Sequence, residues 1–175
     1  MDPLDLFDRG TAWVKTKIPA AESKLDRSSP CDEWTVRALL NHMLDAQRRF
    51  AGAASGTPAG PFTGMPPDVL GDDPLAQYEA ARQSTLRAYR APGALDRAGP
   101  QLGIAFVDQL VHGWDLARAT GQDPTMPSDL ADAAFAMVDG RLTDDRRGTN
   151  FKPAVQVSDD APVQDRLIGY SGREP

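Results

Sequence analysis

Residues 102–121 have the sequence LGIAFVDQLVHGWDLARATG, and this stretch decides the fold. Apolar residues occur on nearly every side of the helix that it predicts, which is typical of a helix packed on several neighbours. Gly121 is the expected stop, because glycine readily adopts the left-handed conformation that ends helices. Asp108 and His112 are four residues apart and therefore lie one turn apart on the same face. Since burying an ion costs on the order of several kcal/mol unless it is paired or bound to metal, these two groups need a partner.

Four further helices are predicted around this central one. Each is indicated by a capping residue at its start and by apolar residues at helical spacing. The predicted helices cover about residues 3–16, 36–54, 74–89, 102–120 and 128–140. We therefore expect an all-α protein, with residues 1–140 as a helical bundle and residues 141–175 as an extended tail packed on the bundle. The two parts together are predicted to form a single domain.

Composition and charge narrow the class of function. The chain has 175 residues, a net charge of −6 and a sequence pI of about 4.8. No basic stripe is present, so nucleic acid is not an expected partner. The longest apolar runs are far shorter than the ~20 residues that span a bilayer, and the acidic N-terminus does not resemble an export signal. With Cys31 as the only cysteine, we expect a cytoplasmic protein in which this residue packs as a small apolar side chain, rather than acting as a nucleophile or metal ligand.

The other histidine, His42, completes a candidate metal site. It lies within the second predicted helix among apolar residues, and two helices of a bundle can direct such groups to one point. Two imidazoles and one carboxylate suit Zn²⁺, Ni²⁺ or Fe²⁺, and three protein ligands leave positions open for water or substrate. Asp115 either orients His112 from behind or pairs with Arg118. The alternatives are that Asp108 and His112 form an ordinary surface pair, or that the histidines are hydrogen-bonded core residues.

Four further residues are candidates for contacts with a substrate or thiol. Arg49 follows His42 by seven residues, so it lies on the same helix face and either contacts a substrate carboxylate or is solvated. Arg118 is a second candidate for an anion contact. Trp34 and Trp114 lie near the proposed ligands in the sequence, where they either pack in the core or line a pocket.

Three segments resemble a known family. They are SSPCDEWTVRALLNHML at residues 28–44, FVDQLVHGWDLARATGQDP at residues 106–124 and VQDRLIGYSGREP at residues 163–175. The first two are similar to the metal-ligand helices of the DinB-like superfamily. More narrowly, all three resemble the actinobacterial group related to mycothiol-dependent maleylpyruvate isomerase.

The resemblance implies a four-helix bundle that holds a single divalent metal, with zinc expected first. His42 matches the first ligand, Asp108 the carboxylate and His112 the second histidine. The resemblance also implies thiol chemistry, because several relatives bind a low-molecular-weight thiol at the metal. The leading hypothesis is therefore an enzyme that uses mycothiol in S-transfer to, or isomerisation of, a small molecule, as a monomer or homodimer.

Two departures from the family pattern leave other functions open. The isomerase branch has glutamate at the position of Asp108, and residues 95–101 (LDRAGPQ) are shorter than the matching turn of relatives. The alternatives are a non-catalytic protein that binds metal or a small molecule, and a biosynthetic enzyme that reuses the pocket of the bundle.

Overall fold

The computed structural model describes residues 1–31, 34–58, 60, 62, 64–141, 147 and 152–175. The elements of this described part are helices, together with one isolated bridge between Ser28 and Thr35, so the prediction of an all-α protein is confirmed. A short 3₁₀ helix covers Glu22–Lys24. The α-helices are α1 (Pro3–Lys15), α2 (Val36–Ala54), α3 (Pro74–Arg90), α4 (Ala94–Thr120), α5 (Ser128–Val138) and α6 (Val163–Tyr170).

The chain divides into two compact units, Met1–Pro124 and Thr125–Pro175. The first unit contains α1 to α4, which is the predicted four-helix bundle. Within it, α4 packs mainly on α1 and α2, and α2 also packs on α3. The proposed boundary at residue 140 between bundle and tail stays a prediction.

Helix α4 begins eight residues earlier than the sequence indicated. The predicted start was Leu102, but the helix begins at Ala94 after Gly93, which has a positive φ of 71°. Pro100 lies inside it, and Ala98 has non-helical angles (φ −137°, ψ 20°). Proline lacks a backbone N–H, and its ring clashes with the carbonyl four residues earlier, so the helix kinks here instead of ending. The short segment 95–101 is therefore the first part of α4.

The second unit corrects part of the predicted C-terminal tail. Residues 163–170 form α6, where an extended segment was expected. Leu167 and Ile168 of this helix are buried, and α6 packs on α5. Helix α6 has only eight residues, and isolated helices of this length are not stable in water. Packing on α5 therefore stabilises it, and the local sequence alone does not indicate it.

Close packing of α1 against α4 depends on a glycine. A Cβ atom at Gly113 would lie 2.6 Å from Val14 Cγ2 and 2.7 Å from Trp13 Cζ3, both on α1. Val14 is fully buried, so it has little room to move. Residue 113 is thus kept small by the approach of two helices beside His112.

We expect Gly113→Ala to lower the free energy of unfolding by about 1–3 kcal/mol, because the new methyl group overpacks the contact between α1 and α4. Gly52→Ala on α2 is the matched control, since a Cβ there meets only Thr57 Cβ, at an ordinary contact distance of 3.7 Å. The control should be neutral or stabilising by up to about 1 kcal/mol, as alanine is the better helix former. Urea denaturation of both variants tests this, and equal stability of the two would contradict it.

Tyr89 gives a prediction that depends on pH. Its side chain is buried, and its hydroxyl has no hydrogen-bond partner among the described residues. Burial raises the pKa of the Tyr89 phenol to about 12, whereas an unfolded tyrosine titrates near 10. As pH rises above ~10 the unfolded chain therefore loses this proton first, and the stability that the protonated phenol contributes is lost as pH rises towards about 12.

We expect Tyr89→Phe to raise the free energy of unfolding at pH 7 by up to about 1 kcal/mol, because the unpartnered hydroxyl is removed. The difference from the unmodified protein should be larger at about pH 10.5, since phenylalanine does not ionise. Urea denaturation at both pH values measures it. A loss of stability at pH 7 would show that the hydroxyl does have a partner.

Candidate metal centre

His42 is placed by the start of α2. The Thr35 hydroxyl accepts a hydrogen bond from the Ala38 N–H at 3.3 Å and so caps this helix as the sequence predicts. His42 follows two turns later, with its side chain 8% exposed. Its imidazole therefore points into the bundle rather than into solvent.

Asp108 and His112 of α4 meet His42 at one point. The Asp108 Oδ1 atom lies 3.2 Å from His42 Nε2 and 3.5 Å from His112 Nε2. One ligand atom from each of the three residues lies within 4.8 Å of the others. Atoms bound about 2.1 Å from a tetrahedral metal are about 3.4 Å apart, so these separations fit a shared cation. We call these three residues the His–Asp–His cluster.

The cluster is largely buried, so Asp108 and His112 are not an ordinary surface pair. The side chains of Asp108 and His112 are 19% and 12% exposed, so solvent reaches only a small part of each. Sequence spacing alone is also compatible with an exposed Asp108–His112 pair on the surface of the helix. The structure instead brings together the three residues that the sequence singled out as metal ligands.

The protonation of the cluster also suits a cation. Burial tends to raise the pKa of the Asp108 carboxyl, but His42, His112 and Gln109 outweigh it and hold that pKa below its ordinary value. Burial lowers the pKa of His112, despite the opposing effect of Asp108 and Asp115. Near neutral pH the site thus presents an ionised carboxylate beside a neutral His112 imidazole, the forms in which these groups bind metals.

Asp115 lies behind His112, as one of the two sequence alternatives predicted. It is fully buried, and its Oδ2 atom lies 2.9 Å from His112 Nδ1. Because a carboxylate only accepts, His112 Nδ1 carries the proton and donates a hydrogen bond to Asp115 Oδ2. The Nε2 atom of His112 is then left with its lone pair facing Asp108 and His42.

Cys31 has polar neighbours that the sequence did not reveal. Its Sγ atom donates to Asp115 Oδ2 at 3.2 Å and lies 3.7 Å from His112 Nδ1. The sequence alone predicts that this side chain packs as a small apolar group. Its neighbours come from a helix more than 80 residues further along the chain, so no local pattern could have indicated the contact.

Two aromatic side chains, Trp34 and Phe62, flank the histidines of the cluster. The Trp34 ring centroid lies 4.9 Å from that of His42 and 6.2 Å from that of His112. Phe62, which the sequence analysis did not single out, lies edge-on to His42 at 5.1 Å. The pocket-wall alternative for Trp34 thus agrees with its position.

A buried amide holds the connection between α2 and α3 next to His42. Asn41 Oδ1 accepts hydrogen bonds from the Val69 and Leu70 N–H groups at 2.8 and 2.7 Å. Its Nδ2 donates to Asp68 Oδ1 at 3.0 Å. Residues 68–70 are thereby bonded to Asn41, the residue directly before His42. This sequence-distant contact was not predicted.

The other candidates for substrate contacts are Arg49, near the cluster, and Trp114 and Arg118, which contact each other. The Arg49 guanidinium lies over the Phe62 ring at 4.8 Å and pairs with Asp45 at 2.6 Å, which places it near the cluster. Trp114 is buried, 3% exposed, so it packs in the core. The Arg118 guanidinium lies over the Trp114 ring at 5.3 Å.

Comparison with known proteins agrees with this site. Residues 8–117 match the family described as the mycothiol maleylpyruvate isomerase N-terminal domain, a DinB-like family. The chain belongs to this family. The matched residues include the whole His–Asp–His cluster. Membership thus assigns the chain to a mycothiol-related, metal-binding, isomerase-like family.

Two relatives match this chain over almost their whole length. They are uncharacterized proteins of Mycobacterium tuberculosis, from strains CDC 1551 / Oshkosh and ATCC 25618 / H37Rv. Each is 27% identical over 189 residues, covering 99% of this chain and 98% of the relative. The search of solved structures found no match. Among the described residues, no helix is both long enough and apolar enough to cross a membrane.

Asp115→Asn tests the role of the carboxylate behind His112. We expect the variant to bind Zn²⁺ about 10–100-fold more weakly, because the amide carries no charge and holds the His112 proton less strongly. Isothermal titration calorimetry measures the affinity. Asp26→Asn, at an exposed position, is the matched control and should bind as the unmodified protein does. Equal affinities of the two variants would contradict the assigned role.

Proposed function

We propose that this protein is a metal-dependent enzyme that uses a low-molecular-weight thiol, mycothiol, in S-transfer to or isomerisation of a small molecule. The observation that carries the proposal is the convergence of His42, Asp108 and His112 from two helices. Family membership supports the thiol, and the chemistry of the donor set supports a divalent cation, with Zn²⁺ expected first and Ni²⁺ or Fe²⁺ as alternatives.

The three residues of the His–Asp–His cluster would hold the cation directly. His42 and His112 would hold the cation through Nε2, and Asp108 through Oδ1. A divalent cation supplies a Lewis acid there, which lowers the pKa of a thiol and polarises a substrate carbonyl. Three protein ligands leave room for exogenous groups, which is the arrangement of catalytic rather than structural sites.

The surroundings of the cluster would bind and orient the substrate. Trp34 and Phe62 flank the His42 ring and reduce the access of water, so charges at the site interact more strongly. Asp115 keeps the His112 proton on Nδ1. Arg49 lies over the Phe62 ring, which contacts His42, and would bind a substrate carboxylate at the edge of the site; Trp114 and Arg118 are further candidates for substrate contacts.

A cytoplasmic location would suit this function. A low-molecular-weight thiol is kept reduced in the cytoplasm, and a chain with one cysteine suits that compartment. The protein would act on small molecules as a monomer or a homodimer.

Metal and thiol titrations test the proposal. The purified protein should bind one Zn²⁺ per chain, and His42→Ala and His112→Ala should each weaken binding by more than about 100-fold, since losing a ligand costs more than losing its outer partner. Arg48→Ala, an exposed change on the same helix as His42, is the control and should leave binding unchanged. Full metal occupancy in both histidine variants would refute the site.

Calorimetry with mycothiol tests the thiol. We expect mycothiol to bind the zinc-loaded protein and not the His112→Ala variant, because the cation supplies the attraction for sulfur. Zinc binding without any affinity for mycothiol would instead assign the chain to non-catalytic metal-binding proteins.

A further inference from the structure

A polar cluster lies behind Asp108, in the core between α2, α3 and α4. Gln47 is fully buried, and Gln109 and Tyr78 are each 1% exposed. Burying amides and a phenol costs free energy unless they are hydrogen-bonded, and an apolar residue of similar size would fill the same space. The positions of these three residues therefore call for an explanation beyond packing.

The hydrogen bonds of Gln109 determine how its amide is turned. Its Nε2 atom lies 3.2 Å from Asp108 Oδ2 and 3.1 Å from the Met43 carbonyl oxygen. A carboxylate and a carbonyl only accept, so the amide nitrogen must face both of them. The amide oxygen then faces the other way, into the core.

Two donors meet that oxygen. The Tyr78 hydroxyl donates to Gln109 Oε1 at 2.8 Å, and Gln47 Nε2 donates to it at 3.0 Å. Gln109 thus uses both of its N–H donors and two acceptor positions, which is the full capacity of an amide. Burial, followed by the negative charges of Asp108 and Glu79, raises the pKa of the Tyr78 phenol, so it remains a donor near neutral pH.

The two oxygens of Asp108 consequently have different partners. Oδ1 faces the imidazoles of His42 and His112, whereas Oδ2 is bonded to Gln109. Rotation of the carboxylate would break the bond from Gln109 Nε2, and because Gln109 is only 1% exposed, the loss of this partner is costly. The carboxylate is therefore held with one oxygen towards the cluster.

We propose that Tyr78 and Gln109 are positioning residues that hold Asp108 as a one-oxygen ligand, through the chain of hydrogen bonds from the Tyr78 hydroxyl by way of Gln109 to Asp108 Oδ2. We call this chain the Asp108 relay. It rests on the proposed function in taking Asp108 as a metal ligand. Gln47 supports it from α2 as the second donor to Gln109.

The relay explains why a buried glutamine, Gln109, directly follows Asp108 in the sequence. Residues 108 and 109 point about 100° apart around α4, so Asp108 faces the histidines while Gln109 faces the contact with α3. Orienting partners of metal ligands typically change metal affinity by about 10–100-fold when they are removed. Tyr78, the end of the relay, lies on α3, which contributes no residue to the His–Asp–His cluster.

Cobalt titration tests the relay, with Co²⁺ as the spectroscopic substitute for zinc. Tyr78→Phe removes only the hydroxyl and should weaken Co²⁺ binding about 10-fold, because Gln109 loses the donor that orients its amide. Gln109→Leu frees Oδ2 and should weaken binding by about 10–100-fold. The freed oxygen can then also bind the metal, which raises the coordination number above four. The visible absorption of Co²⁺ should therefore decrease, because it is strongest in four-coordinate sites.

Thr85→Val is the matched control. Like Tyr78, Thr85 has a buried hydroxyl on α3, but its single O–H is directed at the backbone carbonyl oxygens of Gln47 (3.1 Å) and Ala81 (3.0 Å), not at the amide of Gln109. Urea denaturation should show that Thr85→Val and Tyr78→Phe lose comparable stability, while only Tyr78→Phe loses metal affinity. If both weaken Co²⁺ binding equally, the role of Tyr78 is merely structural and the inference is overturned.

The outcomes also separate the relay from the proposed function. If the unmodified protein binds Co²⁺ and His42→Ala abolishes binding, while Tyr78→Phe and Gln109→Leu keep the affinity and the spectrum, the relay is refuted and the site stands. If the unmodified protein binds no metal, both fail. Since Tyr78→Phe is the more conservative change, it provides the test even if Gln109→Leu does not fold.

Discussion

The structure of the bundle depends on one carboxylate, that of Asp108, which is largely withdrawn from water yet ionised near neutral pH. Such a group is tolerated only where both of its oxygens have partners. Oδ1 lies 3.2 Å from His42 Nε2, and Oδ2 accepts from Gln109. These contacts require α2 to face α4 in a defined register, because His42 has to reach a residue on the other helix.

Packing on the opposite side of α4 supports that register. Gly113 allows α1 to approach so closely that a methyl group would collide with Val14 and Trp13. Residue 113 therefore faces α1, and successive residues of a helix turn by about 100°, so Asp108 and His112 point away from α1 and towards α2. A small residue on one side of α4 thus helps to direct the ligand candidates on the other side.

The same cluster explains why residues outside it are polar and buried. Asp115 and Gln109 each bond a different member of the cluster, one through His112 Nδ1 and the other through Asp108 Oδ2. Each orients its partner without facing the shared point itself. These two buried polar residues therefore support one site, which is consistent with a bundle whose function lies in that site.

Local sequence determined the helices and the three cluster residues. Caps, prolines and apolar spacing act within a few residues, so α2, α3 and the end of α4 were predicted closely, and His42, Asp108 and His112 were identified as candidates. The continuation of α4 through Pro100 and the helix α6 were missed, because packing outweighs weak local preferences there. Only the tertiary structure brought Cys31, Phe62 and Tyr78 to the site. Their partners are distant in sequence, and the distances and directions that join them arise from helix packing rather than from any periodicity along the chain.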